Sequence, residues 1–172
     1  MKQLRMTKKP ITMILISCIL TVSLLALLTG CSGATPKTFQ VAGMEITLTN
    51  QFRETKPEGF TMCFDSKEMA VFTMKEVFAL SEGLDQHSVT EYGALLLEVN
   101  GLSGKAEIQS RDGLNFFEFT NTNASTGVEY HYVCYFFKAS DAFWSVQFAV
   151  EKENLAELRP IIETYAQSIT FQ

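Results

Sequence analysis

The chain has 172 residues, is 47% hydrophobic and carries a formal net charge of −5. Four of its fourteen bases precede Cys31 and all nineteen acids follow Gly30, so residues 31–172 hold ten bases against nineteen acids, a charge of −9. That balance argues against nucleic acid and anionic headgroups as charge-driven partners, because both need basic patches; the acids form no calcium-loop run either.

The chain opens with Lys2, Arg5, Lys8 and Lys9 and no acid. From Ile11 to Leu28 it is uncharged and mostly apolar, and small residues follow from Thr29 to Ala34. Basic, then apolar, then small is the order of an export signal. A permanent transmembrane anchor is the alternative, since such a run reaches the lower end of the ~17–25 residues needed to span. A retained anchor has no use for Leu28-Thr29-Gly30-Cys31 at its exit. Those four residues resemble the lipobox of bacterial lipoproteins. The resemblance implies cleavage between Gly30 and Cys31, a diacylglyceryl group (palmitate-class chains) on the Cys31 sulfur, and an extracytoplasmic site on a bacterial membrane. Two acyl chains anchor stably where one is marginal. The expected organisation is a signal peptide over 1–30, a lipidated cysteine and short spacer over 31–38, and a single domain over 39–172.

Within that domain, Phe39–Val41 and Met44–Leu48 read as strands around an Ala42-Gly43 turn. Gln51–Gly59 is polar, contains Pro57, and reads as a loop. Phe60–Phe64 and Met69–Leu80 read as strands; in the second, Ala70, Phe72, Met74 and Phe78 share the apolar side and Thr73 and Lys75 oppose them. Ser88-Val89-Thr90-Glu91 is a capping box, and Val89, Tyr92, Leu96 and Val99 mark the apolar face of the helix it starts. Asn100-Gly101 ends that helix.

Lys105–Ser110 leads into Arg111-Asp112-Gly113, which has hairpin chemistry. Leu114–Thr120, Val128–Lys138 and Ala142–Val150 are aromatic and β-branched strands joined by short links, so they pair antiparallel. The run from Val133 to Phe137 marks a central strand covered on both faces. Leu155, Leu158, Ile162, Tyr165 and Ile169 mark a last helix; Pro160 either kinks it or begins a second segment. Thr170–Gln172 adds a short strand. The expected fold is α+β, a mostly antiparallel sheet with helices packed on it.

Gly43–Leu48, the capped helix Ser88–Val99, the aromatic meander and the closing Tyr165–Phe171 together resemble PsbP-like and DcrB-like domains. The resemblance implies an antiparallel sheet sandwiched by helices, and a role in binding or assembly with no catalytic residue to carry over.

Searches for chemistry along the chain yield little. Gly101-Leu102-Ser103-Gly104-Lys105 lacks the first glycine and the hydroxyl of a phosphate loop. His131 and Cys134 lie three apart on a strand, hence on opposite faces, and cannot share an ion. Neither a metal site nor a cofactor is expected. Cys63 and Cys134 either form one disulfide outside the cytosol or pack as small hydrophobes. Glu118 and Glu129 could oppose each other across a hairpin, and Trp144 reads as core. The expected function is a non-enzymatic envelope lipoprotein, held to a membrane by its N-terminal lipid and binding an envelope protein or small ligand. The alternative is an envelope enzyme whose site gathers Glu118, Glu129 and Asp141 near Tyr130, with raised carboxylate pKa values.

Overall fold

The computed structural model describes residues 33–172. The expectations for residues 1–32, including cleavage at Gly30 and lipidation of Cys31, lie outside the described residues. Among the described residues ten strands are arranged in two antiparallel sheets. The smaller has the order β1 (Pro36–Val41), β2 (Met44–Thr49), β10 (Thr170–Phe171). The larger contains β3 (Arg53–Thr55), β4 (Met62–Asp65), β5 (Met69–Val77), β6 (Gln109–Arg111), β7 (Leu114–Thr122), β8 (Glu129–Lys138) and β9 (Ala142–Glu151). Its spatial order is β3-β4-β5-β9-β8-β7-β6. Helices α1 (Val89–Val99) and α2 (Leu155–Gln167) complete the α+β fold.

Alternation along the large sheet sends successive side chains to its two faces. Phe64, Val71, Val133, Tyr135, Trp144, Val146 and Phe148 point to one face, called inner here, and are buried there with Phe39, Ile46 and Leu48 of the small sheet. Leu158, Ile162 and Ala166, spaced by four on α2, seal the same core. The outer face is covered by α1. Its Tyr92 ring stacks on Phe143 at 4.3 Å and its hydroxyl donates to Glu76 Oε1 at 2.9 Å. Gly93 lets the helix come close: a Cβ there would lie 2.5 Å from the Phe136 ring.

Locally encoded features form as expected. Ser88 Oγ accepts from Glu91 N at 3.2 Å, while the Ser88 amide donates to Glu91 Oε2 at 2.7 Å. Ala42-Gly43 and Asp112-Gly113 take positive φ values and close tight hairpins. β8 is buried on both faces from Val133 to Phe136, and Trp144 is core.

Other expectations need correction. β1 begins at Pro36, so the last part of the expected spacer is strand: Pro36, Lys37 and Thr38 pair with Thr49, Leu48 and Thr47. β3 lies inside the expected Gln51–Gly59 loop, wholly exposed and held by its register with β4 and by Thr55 Oγ1 donating to Asp65 Oδ2 at 3.0 Å. On β5 the sides alternate as read, but the buried side is Met69, Val71 and Thr73, because that side meets the inner core. Thr73 is satisfied there by donating to the Met62 carbonyl at 2.9 Å. The β5 strand also stops at Val77, and Phe78–Leu80 forms a 3-10 turn. Val99 is 78% exposed, since the α1 face turns past it to Gly93 and Leu97. α2 runs continuously through Pro160. The proline sits on the exposed side, where water can take the Ala156 carbonyl it leaves without an amide.

Candidate functional site

The densest polar arrangement on the inner side joins β7, β8 and α2. Glu118 and His131 belong to neighbouring strands and point to the same face, because Glu118 pairs with Val133 and Thr120 with His131. Arg159 descends from α2 and grips Glu118 with two hydrogen bonds: Nη1 to Oε1 and Nη2 to Oε2, each 2.7 Å. His131 Nε2 meets Glu118 Oε2 at 2.7 Å, and its Nδ1 lies 3.3 Å from Thr120 Oγ1. The Arg159 hydrogen bonds, opposed by burial and aided by His131, hold the Glu118 carboxyl below the usual carboxylate range. Arg159 in turn keeps its proton more tightly, chiefly through Glu118. One turn along α2, Glu163 Oε1 accepts from Arg111 Nη1 at 2.7 Å. A carboxylate so fully engaged is a poor proton acceptor; this cluster latches the helix to the sheet edge.

The carboxylates considered for catalysis do not converge. Glu129 lies opposite Thr122 rather than Glu118, and its partner is Lys152 at 3.1 Å. Asp141 sits past the other end of β8, bonded to Lys75 at 2.8 Å, and Lys75 holds its carboxyl below the ordinary range. The ten residues of β8 separate Glu129 from that end, a distance of about 30 Å at ~3.4 Å per residue. Tyr130 pairs with Asn121 and Glu151. The condition of raised carboxylate pKa values is contradicted for Glu118 and Asp141.

His131 and Cys134 do occupy opposite faces. Cys63 and Cys134 are buried and free. Strands β5 and β9 stand between theirs. Three strand spacings are about 14 Å, too far for a disulfide; the expected alternative of a bridge is corrected to two small hydrophobes. Burial pushes the Cys63 thiol up to about 11 and that of Cys134 up to about 12. Among the described residues no group of three or more His, Cys, Asp or Glu could hold a metal, and no helix is long and apolar enough to cross a membrane. Lys105 is spent on its own loop, donating to the Gly101 carbonyl at 3.0 Å.

The outer face offers more. α1 covers Phe117, Cys134, Phe136 and Phe143. Beyond it the same face carries Phe72, Met74, Gln147, Phe119 and Tyr132, all half-buried. Phe119 and Tyr132 stack at 4.8 Å with planes 7° apart, and Phe60 packs on Phe72 at 5.1 Å. An open groove of about 830 Å³ lies at one end of the sheet between Val77–Asp85 and Lys138–Asp141. Its lysine is committed: Lys138 Nζ donates to the Asp85 and His87 carbonyls at 2.7 and 2.8 Å.

No protein-family model matches the chain, and no curated protein matches it in sequence. Solved structures match it in fold. The solution structure of cyanobacterial PsbP (CyanoP) from Synechocystis sp. PCC 6803 aligns with a TM-score of 0.57 at 14% identity. That alignment covers 86% of this chain and 100% of the cyanobacterial one. A protein from Bacteroides thetaiotaomicron VPI-5482 aligns with a TM-score of 0.51 at 14% identity, over 79% of this chain and 48% of the other. This chain therefore spans about half the length of the Bacteroides protein, and all of the PsbP domain. At such identity the likeness is one of fold: the PsbP-like sandwich expected from the strand and helix order is present.

Proposed function

We propose that the chain is a membrane-anchored cell-envelope lipoprotein whose folded domain binds or assembles rather than catalyses. The observation that carries this reading is Leu28-Thr29-Gly30-Cys31, directly after a basic and then uncharged apolar leader. Four residues separate Cys31 from the first strand at Pro36. They reach at most about 14–18 Å even when fully extended. A lipidated Cys31 would therefore keep the domain against the bilayer surface, and its net negative charge would keep it from adhering to anionic headgroups.

The carboxylates Glu118, Glu129 and Asp141 are each engaged with a different base, Arg159, Lys152 and Lys75. That arrangement favours structural ion pairs over a shared acid–base site. The PsbP-like fold supports a binding or assembly role, with an envelope protein or small ligand as the partner.

The test is the state of Cys31 in the native chain. Intact mass of the protein from membranes should show a polypeptide beginning at Cys31 and carrying acyl chains. Cys31→Ala should move the protein out of the acylated fraction and leave the leader uncut. A native chain that begins at Met1, or carries a free thiol at Cys31, overturns the reading.

A further inference from the structure

The edge of the large sheet at β7 is open in a way the other edges are not. β6 pairs only with Leu114, Asn115 and Phe116, and beyond Phe116 no strand of the described residues pairs with the outer side of β7. The two hairpins flanking β7 fix which backbone groups face outward. Arg111 and Leu114 flank a two-residue turn and so form a hydrogen-bonded pair. At the other end, Asn123 N donates to the Val128 carbonyl at 2.9 Å, toward β8. Alternation then turns the N–H and C=O of Glu118, Thr120 and Thr122 away from β8, to the open edge.

Natural edges are blunted by charge, proline or shortness. β1 has Pro36 and Lys37, β3 is three residues long with Arg53 and Glu54, and β10 is two residues long. The open stretch of β7 has none of these. Thr120, Asn121, Thr122 and Asn123 are neutral, and the one charge, Glu118, is neutralised by Arg159. In a chain this acidic, it is a neutral strip with unused hydrogen-bonding groups.

We propose that this edge pairs with the same edge of a second copy of the chain, antiparallel, about a two-fold axis at Thr120. In that register Thr120 faces Thr120 of the partner subunit. Glu118 faces Thr122 of the partner subunit, and every outward N–H meets a carbonyl. No like charges oppose each other, and the Thr–Thr contact repeats one already used in the small sheet, where Thr38 and Thr47 hydroxyls lie 3.1 Å apart. The length also fits. The partner's strand leaves the edge at its Asn123 turn, just where further pairing would collide with Gln109 opposite Phe116. On the outer face the contact brings Phe119, stacked on Tyr132, against Asn121 of the partner subunit. A copy satisfies this edge by symmetry alone, whereas a foreign strand would need its own matching sequence. The inference is independent of the lipid anchor.

Cross-linking tests it on the full-length chain, in native membranes and after detergent extraction. Antiparallel hydrogen-bonded partners have Cα atoms about 5.5 Å apart, within disulfide range. Thr120→Cys should therefore give a disulfide-linked dimer on mild oxidation. Thr122→Cys, about 14 Å from its own symmetry mate, should give about tenfold less or none, since only proximity raises the effective thiol concentration. Buried Cys63 and Cys134 are unreactive, and the parent chain, which also carries Cys18 and Cys31, is oxidised alongside, so that only the dimer gained with Thr120→Cys counts. Thr120→Lys, which sets like charges opposite each other on an exposed site, should abolish a dimer seen by cross-linking in the parent while leaving the circular dichroism unchanged. The proposal is overturned if Thr120→Cys stays monomeric, if it links no better than Thr122→Cys, or if it is captured by a different protein.

Discussion

The two faces of the large sheet use the same strands and reach opposite outcomes. The inner face meets a second sheet and α2, and its residues from Phe64 to Phe148 are sealed. The outer face meets one helix of eleven residues, which cannot span seven strands. The sequence follows the cover: Phe117, Cys134, Phe136 and Phe143 lie under α1, while Gln147 and Tyr132 are only half-buried on the same face. Burial in this fold is decided less by how apolar a residue is than by what lies over it. Phe72 and Phe148 make the point. Both are phenylalanines near the middle of neighbouring strands; one is half-buried, the other 0% exposed.

Substitution at those two positions gives the largest expected contrast. Phe148→Ala should lower unfolding free energy by about 3–5 kcal/mol, as a sealed aromatic does. Phe72→Ala should cost under about 2 kcal/mol, because less area leaves water on folding. Equal losses in urea titration would break the comparison.

The covered part of the outer face is sharpened by Gly93→Ala. The added methyl would press on Phe136 and on Ile108 Cδ1, 3.1 Å away. Lifting α1 should cost about 1–3 kcal/mol. Hydrogen exchange should then rise in α1 while α2 stays protected. A neutral result would mean that the helix rides more loosely than its geometry indicates.

Glu118→Gln probes the α2 latch at a similar or slightly smaller scale, about 1–3 kcal/mol for charge-assisted bonds. Its pH dependence carries the sign. A carboxyl held below its unfolded value contributes stability above that value, near ~4.3 for Glu, and loses it as pH falls through the folded value. The gap between wild type and variant should therefore be full at pH 7 and shrink in acid below about pH 4. A gap that stays constant through that window would mean that Glu118 acts by shape and not by charge.

The smallest effect belongs to Lys152→Ala. Lys152 and Glu129 are each about half exposed, and such pairs contribute about 0–1 kcal/mol, less in salt. A shift in thermal midpoint comparable to that of Glu118→Gln would erase the distinction between latch and surface pair.

What the sequence disclosed depended on range. The Ser88–Glu91 cap and the Asp112-Gly113 turn are set within a few residues and formed as read, and the α2 stripe formed at Leu158 and Ile162, with Ala166 in place of Ile169, which lies past the helix end. The buried side of β5 could not be read, because both sides carry apolar residues and the choice belongs to distant neighbours. Exposed β3 left no hydrophobic trace. The Glu118 cluster was hidden differently. Arg159 lies 41 residues away on another element, and nothing local announces it. The Glu118–His131 contact did leave a signal. Asn123 Oδ1 accepts from Ser125 N at 2.9 Å and Ser125 Oγ at 2.7 Å, fixing the β7–β8 loop. Counting outward from that loop puts Thr120 beside His131 and leaves Glu129 far from Glu118.

The place of β2 has a consequence for how the chain reaches its native state. It is flanked by the first strand and the last, and Ser168 Oγ accepts from the Thr47 amide across 121 residues. A chain synthesised from its N-terminus cannot complete that sheet until Phe171 has been made. Such closure, with its high contact order, favours slow, late acquisition of structure and leaves the nascent polypeptide pliable for most of its synthesis.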